Sequence, residues 1–278
     1  MNILIIDQDP LSTQFIKSKL EPFGHKIQSE TSKHEALRLC KDTQFDLIML
    51  DPSPMTSPRN LVQDLRNAHH ARAYKLLISS SIEATTEALL FGVNDFIAKP
   101  INPKELVDKL ENAQFFSKLV KHIGDSKEDF PSANGIISRS AFNQLFLSSV
   151  DRADRYGEGT YLLCISLSNY TEIVSEDGQY TADYAAAKLS QFITQLRRQS
   201  DIVGQIAVNE FDLLLQRPVT PNEPIEAAER FIQALSSYKG FHELDTKNIE
   251  INVTLIEIPS GTHEINKTFR PIEMAPLG

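Results

Sequence analysis

The sequence predicts two domains in series, a doubly wound parallel α/β domain followed by an antiparallel-rich α+β domain. Three observations carry this expectation. In the first half, short apolar runs alternate with amphipathic stretches five times, the pattern of strand–helix repeats around a parallel sheet. In the second half, two apolar runs at 201–208 and 210–215 lie too close together for anything but a hairpin turning at Val208-Asn209. Between the halves, Gly124-Asp125-Ser126-Lys127-Glu128-Asp129 breaks a long helical pattern. With 278 residues, one to two domains are expected. The boundaries drawn are 1–123, a linker over 124–134, and 135–278.

Asn2-Ile3-Leu4-Ile5-Ile6 is the first strand and ends on Asp7. Asp9 caps the next helix and Pro10 suits its first position. Leu11, Phe15, Ile16 and Leu20 form its apolar face, and Gly24 ends it. A short strand around Ile27 follows. Ser32-Lys33-His34-Glu35 is a capping box, opening a helix with Ala36, Leu37 and Cys40 inward. Phe45-Asp46-Leu47-Ile48-Met49-Leu50-Asp51 holds four consecutive apolar residues, as a strand buried on both faces requires. A helix through Leu61 and Leu65, a strand over 75–78, a helix around Ala88 and a strand over 96–98 complete the alternation. His69-His70 has no Cys or acidic partner nearby and reads as a solvated loop.

Asp7, Asp51 and Lys99 all fall at strand carboxyl ends, where open α/β sheets hold their sites. These motifs in order, Ile3 to Pro10, the Asp51 strand and Lys99-Pro100, resemble the receiver domain of two-component response regulators over roughly 1–123. The resemblance implies a flavodoxin-like (βα)5 fold with Asp51 as phosphoacceptor. It further implies a magnesium ion held by Asp7, Asp9, Asp51 and the carbonyl of Ser53, and Lys99 pairing with the phosphoryl oxygens. Ser79 or Ser80 would supply the switch hydroxyl. A histidine kinase or phosphotransfer protein would be the phosphoryl donor. Two departures bear on this. Gln8 stands where the family has a second acid, which weakens the expected hold on magnesium, and Pro52 and Pro54 flank Ser53 in the loop. Two readings therefore stay open: Asp51 is phosphorylated, or the receiver is a docking fold.

Asn102-Pro103-Lys104-Glu105 opens a helix whose stripe Leu106, Leu110, Ala113, Phe116, Val120 and Ile123 outlasts an average helix. It either bridges two domains, pairs with its twin in a homodimer, or docks on the second domain.

In the second half, a helix is expected over 138–156 with Phe142, Leu145, Phe146 and Val150 inward, then a strand over 161–165 and a helix over 184–198. After the hairpin come a helix over 223–238 and a strand over 249–258. This order, with Ala207-Val208-Asn209-Glu210-Phe211 at the hairpin and Gly135-Ile136 before Arg139, resembles a GGDEF domain, the palm-type diguanylate cyclase fold, over about 129–260. By that resemblance Ser166 and Asn209 stand where the cyclases place metal-binding acids, and Ala207 and Val208 where glycines admit the substrate phosphates. Val174 replaces one of two guanine-gripping residues, and Asp183 matches the other. Arg198-Gln199-Ser200-Asp201 matches the family's Arg-x-x-Asp site for cyclic di-GMP.

Net charge of −9 argues against a DNA-binding output domain. No apolar run approaches the ~20 residues of a membrane helix, and residues 1–10 lack a signal-peptide pattern. Cys40 and Cys164 sit in apolar patterns and read as buried free thiols. The expectation is a cytoplasmic signalling adaptor without enzyme activity: a receiver in a phosphorelay controls the protein partner of a degenerate GGDEF domain. The alternative is a cyclic di-GMP receptor using Arg198 and Asp201, and an active diguanylate cyclase is the reading least supported.

Overall fold

The computed structural model describes residues 1–54, 57–68, 73–80, 88–125, 127–131, 133–243 and 249–271. The chain divides into two compact units. The first comprises Met1–His122 with Val150–Glu158 and Ile258–Gly261, the second Ile123–Ser149, Gly159–Glu257 and Thr262–Gly278. Two short segments from the second half of the chain thus belong to the first unit, which an analysis of contiguous sequence does not expect.

The first unit runs β1 (Asn2–Ile6), α1 (Pro10–Leu20), β2 (Lys26–Glu30), α2 (Lys33–Asp42), β3 (Leu47–Leu50), α3 (Arg59–Ala68), β4 (Tyr74–Ser79), β5 (Asp95–Ala98) and α4 (Pro103–Ile123). Its sheet has the order β2-β1-β3-β4-β5, and every pairing is parallel. All four residues of β3 are buried, because helices must cover both faces of a parallel sheet. The expected doubly wound architecture is present. Residues 81–87, in the helix expected near Ala88, and His69-His70 lie outside the described residues.

Local chemistry sets the helix starts. Asp9 caps α1 by accepting from the backbone N–H of Leu11, and Pro10 occupies its first turn. Ser32 caps α2 by accepting from Glu35 N–H. The inward face of α1 is Ser12, Ile16 and Leu20, at four-residue spacing. Leu11 falls one position off that stripe and is exposed, contrary to expectation. The stripe of α4 holds Leu119 in place of the expected Val120, alongside Leu106, Leu110, Ala113, Phe116 and Ile123.

The remaining elements are β6 (Ile136–Ile137), α5 (Arg139–Tyr156), β7 (Thr160–Leu167), α6 (Tyr170–Asp177), α7 (Gln179–Leu196), β8 (Ile202–Ala207), β9 (Glu210–Gln216), α8 (Glu223–Ser236), β10 (Ile251–Ile258) and β11 (His263–Phe269). They belong to the second unit except for the end of α5 from Val150 and Ile258 of β10, which fall in the first. The sheet order is β11-β10-β7-β9-β8-β6, with β9 antiparallel to both β7 and β8. The predicted hairpin is therefore central to the sheet. Three elements were not anticipated, the two-residue strand β6 among them. Helix α6 precedes α7, which starts at Gln179 rather than 184, and Gly178 at φ 89° turns the chain between them. Strand β11 is an edge strand, mostly exposed and polar, so no apolar alternation announces it.

Along β9 the side chains alternate. Phe211, Leu213 and Leu215 enter a core with Ile173, Leu189, Phe231 and Leu235. Asp212 points to the other face and is fully buried, opposite Cys164 on β7 and Gly204 on β8. Neither of its carboxylate oxygens has a conventional hydrogen-bond partner. Burial, aided by the charge of Glu210, pushes its pKa well above the usual carboxylate range. Of the two free cysteines, Cys40 is buried and its thiol pushed up to about 11 by burial, whereas Cys164 is partly exposed as a residue. Leu145, expected to point inward on α5, is 38% exposed, while Phe142 and Phe146 are buried. No helix among the described residues is long and apolar enough to cross a membrane.

Gly204 lies directly beneath the ring of Phe142: a Cβ there would sit 2.4 Å from Phe142 Cγ and 2.6 Å from its Cβ. These are the inner atoms of the side chain and cannot swing aside. Gly204→Ala is expected to lower unfolding stability by about 1–3 kcal/mol, read by urea unfolding.

Candidate functional sites

The strand registers build the first site. Ile6 pairs with Leu50, so Asp7 and Asp51 leave adjacent strands at the same level. The order reverses around β1, since the chain goes out to β2 and returns to β3, which opens the crevice at these carboxyl ends. Ser79 pairs with Ala98, so Lys99 leaves β5 at the end of its partner. The Lys99 ammonium donates to Asp51 Oδ2 at 2.5 Å and to Asp7 Oδ2 at 2.9 Å. Asp51 is 5% exposed and Asp7 4% exposed, so two buried carboxylates share one half-buried ammonium.

The remaining oxygens are also engaged. Asp7 Oδ1 accepts from Asp9 N–H at 2.9 Å, and Asp51 Oδ1 from Ser53 N–H at 2.8 Å. Burial works to raise the pKa of Asp51, but the hydrogen bonds from Lys99 and Ser53 outweigh it and hold the carboxyl below its usual range. Burial likewise works to lower Lys99, and Asp51 and Asp7 reverse that, holding it above its ordinary value. Of the two candidate switch hydroxyls, Ser79 is fully buried at the end of β4 and Ser80 is exposed.

The donor set expected for magnesium is only partly assembled. Asp9 is exposed and caps α1, and Gln8 is exposed and neutral. The Ser53 carbonyl accepts from Lys33 Nζ at 3.2 Å, and the Pro52 carbonyl from the same ammonium at 2.5 Å. Among the described residues, no three His, Cys, Asp or Glu side chains are grouped to hold a metal ion. The residues present therefore do not fit a hard divalent cation well: one acid is a Gln, one caps a helix, and the carbonyl expected as a ligand is bonded to an ammonium. Lys33 went unnoticed in the sequence because it reads as an ordinary capping-box residue. One signal was there: a cation at a helix N-terminus opposes the helix dipole and calls for a compensating partner.

The hairpin between β8 and β9 is the second site. Ser166 pairs across the sheet with Glu210. Asn209 donates its side-chain amide to the Leu167 carbonyl at 2.8 Å, and Leu167 N–H donates to the Asn209 carbonyl at 3.0 Å. The turn is thereby tied to the end of β7. Val208 packs against the hydrophobic core, and Phe211 is buried within it. Ala207 pairs with Glu210 next to a register shift. Asp183 accepts from Tyr170 Oη at 2.5 Å and Gln179 Nε2 at 2.9 Å.

Residues 132–275, more than half of the chain, match the family model described as the diguanylate cyclase GGDEF domain. The chain belongs to the GGDEF family. Residues 3–111 match the response regulator receiver domain, so a receiver precedes the GGDEF domain. The transcriptional regulatory protein ZraR of Salmonella typhimurium is 26% identical over 157 residues, covering 54% of this chain and 34% of ZraR. The response regulator SaeR of Staphylococcus epidermidis is 23% identical over 177 residues, covering 63% of this chain and 76% of SaeR. The chain spans about a third of ZraR. Among solved structures, the GGDEF domain of YfiN from Pseudomonas aeruginosa is 19% identical, covers 44% of this chain and 75% of its own, and has a TM-score of 0.39. A response regulator from Chloroflexus aurantiacus is 23% identical, covers 40% and 95%, and has a TM-score of 0.35.

In the GGDEF domain, the predicted Arg198/Asp201 pair is drawn into local contacts. The Arg198 guanidinium pairs with Glu223, which also accepts from Val219 N–H at 2.6 Å. Asp201 turns back to accept the backbone N–H of Arg198 at 2.9 Å. The Val219 N–H and then Arg198 hold the Glu223 carboxyl below its usual range.

In the receiver, the depressed Asp51 pKa stabilises the native state at pH above its unfolded value near 4, and that contribution is lost as pH falls through the lower native value. Lys99→Met would leave Asp7 and Asp51 buried together without their shared cation. Urea unfolding at pH 7 is expected to show a loss of about 3 kcal/mol. The gap to wild type should narrow as pH falls toward 4, where Asp51, left with burial and without Lys99, takes up a proton in the mutant; a gap constant over that range would contradict this.

Proposed function

We propose that this chain is a non-catalytic signalling protein whose receiver, acting through Asp51, controls the protein contacts of its GGDEF domain. A receiver implies a histidine kinase or phosphotransfer protein as donor, and a GGDEF domain implies GTP or cyclic di-GMP as its ligand class. Asp51 is the residue to accept a phosphoryl group: it ends a central strand at the crevice, with Lys99 beside it.

The observation that carries the non-catalytic reading is the use made of Asn209. Its amide is spent on the Leu167 carbonyl, and the other position matched to a metal-binding acid, Ser166, is a neutral hydroxyl opposite Glu210. Phosphoryl transfer rests on metal ions and positioning, and those ions need anionic oxygen ligands. Val208, partly buried against the core, places a β-branched residue at the position matched to a glycine that admits the substrate phosphates. The output is then a protein partner, another copy of the chain included. The cyclic di-GMP receptor is the weaker alternative, because Arg198 would have to leave Glu223 to grip the ligand.

Incubation of the whole chain with GTP and magnesium is expected to yield no cyclic di-GMP above an enzyme-free control. Product that disappears in Glu210→Gln would overturn the non-catalytic reading.

A further inference from the structure

We propose that the Lys33 ammonium is the resident cation of the Asp51 pocket, holding the Pro52 and Ser53 carbonyls in place of a divalent ion. This deepens the receiver reading above and rests on it.

Lys33 is the first residue of α2, half-buried, and reaches across to the loop that follows Asp51. Its Nζ lies 2.5 Å from the Pro52 carbonyl and 3.2 Å from the Ser53 carbonyl. Asp51 Oδ1 holds the same loop from the other side through Ser53 N–H. The loop is thus clamped between one carboxylate and one ammonium, and Lys33 lies within the field of Asp51. Backbone carbonyls beside a carboxylate are the oxygen donors a hard cation takes, and here an ammonium takes them.

Charge balance points the same way. Asp7 and Asp51 bring two buried negative charges, and Lys99 contacts both but offsets one. Lys33 supplies the second positive charge, so the four side chains balance. Gln8 adds no negative charge that a further cation would need, and Asp9 is exposed at the cap of α1. A divalent ion bound at the Ser53 carbonyl would meet the Lys33 ammonium on the same oxygen, and like charges at that separation repel strongly. The position of Lys33 at the positive end of α2 is unfavourable by itself. Burial also works against its charge and lowers its pKa, the charge of Asp51 opposes that, and the Pro52 and Ser53 carbonyls accept its hydrogen bonds.

The test uses the full chain, with magnesium as the probe. Magnesium affinity by calorimetry and thermal unfolding with and without magnesium would be measured for wild type, Lys33→Met, Lys33→Gln and Lys33→Arg. The neutral variants are expected to bind magnesium at least tenfold more tightly than wild type. Their melting temperature should be lowered without the ion and restored by it, while wild type and Lys33→Arg respond little. Lys33→Gln retains a donor for the carbonyls, so it serves if Lys33→Met does not fold. Equal magnesium response in wild type and both neutral variants would overturn the assignment, as would an Arg variant that behaves like Met. Labelling by acetyl phosphate, lost in Asp51→Asn, reports separately on the receiver reading. Rescue by magnesium without such labelling would support Lys33 as the resident cation and overturn only Asp51 as phosphoacceptor.

Discussion

The contact on which the receiver's architecture converges is the double ion pair of Lys99 with Asp51 and Asp7. Each of the three residues follows a different strand: the registers put Asp7 and Asp51 at one level and Lys99 two residues further along, from where its long side chain reaches back to both. Two carboxylates this well buried are costly unless a cation is fixed between them. The parallel sheet supplies that fixation, because all its strands end on the same side. Stability and site are therefore one arrangement: the cluster that a phosphoryl group would enter also ties β5 to the centre of the sheet.

The GGDEF domain shows a different economy of polar groups. Its hairpin strand β9 lies between β7 and β8, and the turn is bound to β7 through Asn209 and Leu167. Asn209, which falls where a metal-binding acid is expected, serves the fold through a hydrogen bond that a carboxylate could not donate. Phe211 serves packing in the same strand, and Asp212, next to it, is enclosed with its pKa pushed up. Burial disfavours the charged form of this carboxyl, which lies opposite Cys164 and Gly204.

Much of this was legible in the residues. Four apolar residues ahead of Asp51 identify a two-sided buried strand, and strand ends carrying Asp7, Asp51 and Lys99 identify the crevice. The close spacing of the runs at 201–208 and 210–215 identifies the hairpin. What escaped reading depends on partners distant in sequence or on the backbone. Lys33 meets main-chain carbonyls 19 and 20 residues away, which no side-chain motif encodes. The pairing of Arg198 with Glu223 spans 25 residues and changes what the Arg-x-x-Asp pattern can do. Strand β11 pairs with β10 through an exposed polar edge, and α6 is a short helix ending at a positive-φ glycine, so neither carries strong periodicity. Ser79 and Ser80 sit at a strand end, where alternation alone cannot assign which is buried; Ser79 is, and Ser80 is exposed.

With Lys99, and Lys33 as proposed, the chain's own cations neutralise the Asp51 pocket. The most direct measurement is the titration of the Asp51 carboxyl by carbon-13 NMR in the absence of divalent ions. A pKa below the ordinary aspartate value of about 3.9 is the predicted result, since Lys99 and the Ser53 hydrogen bonds outweigh burial. A value at or above that figure would mean that burial prevails without added metal, and would contradict the account.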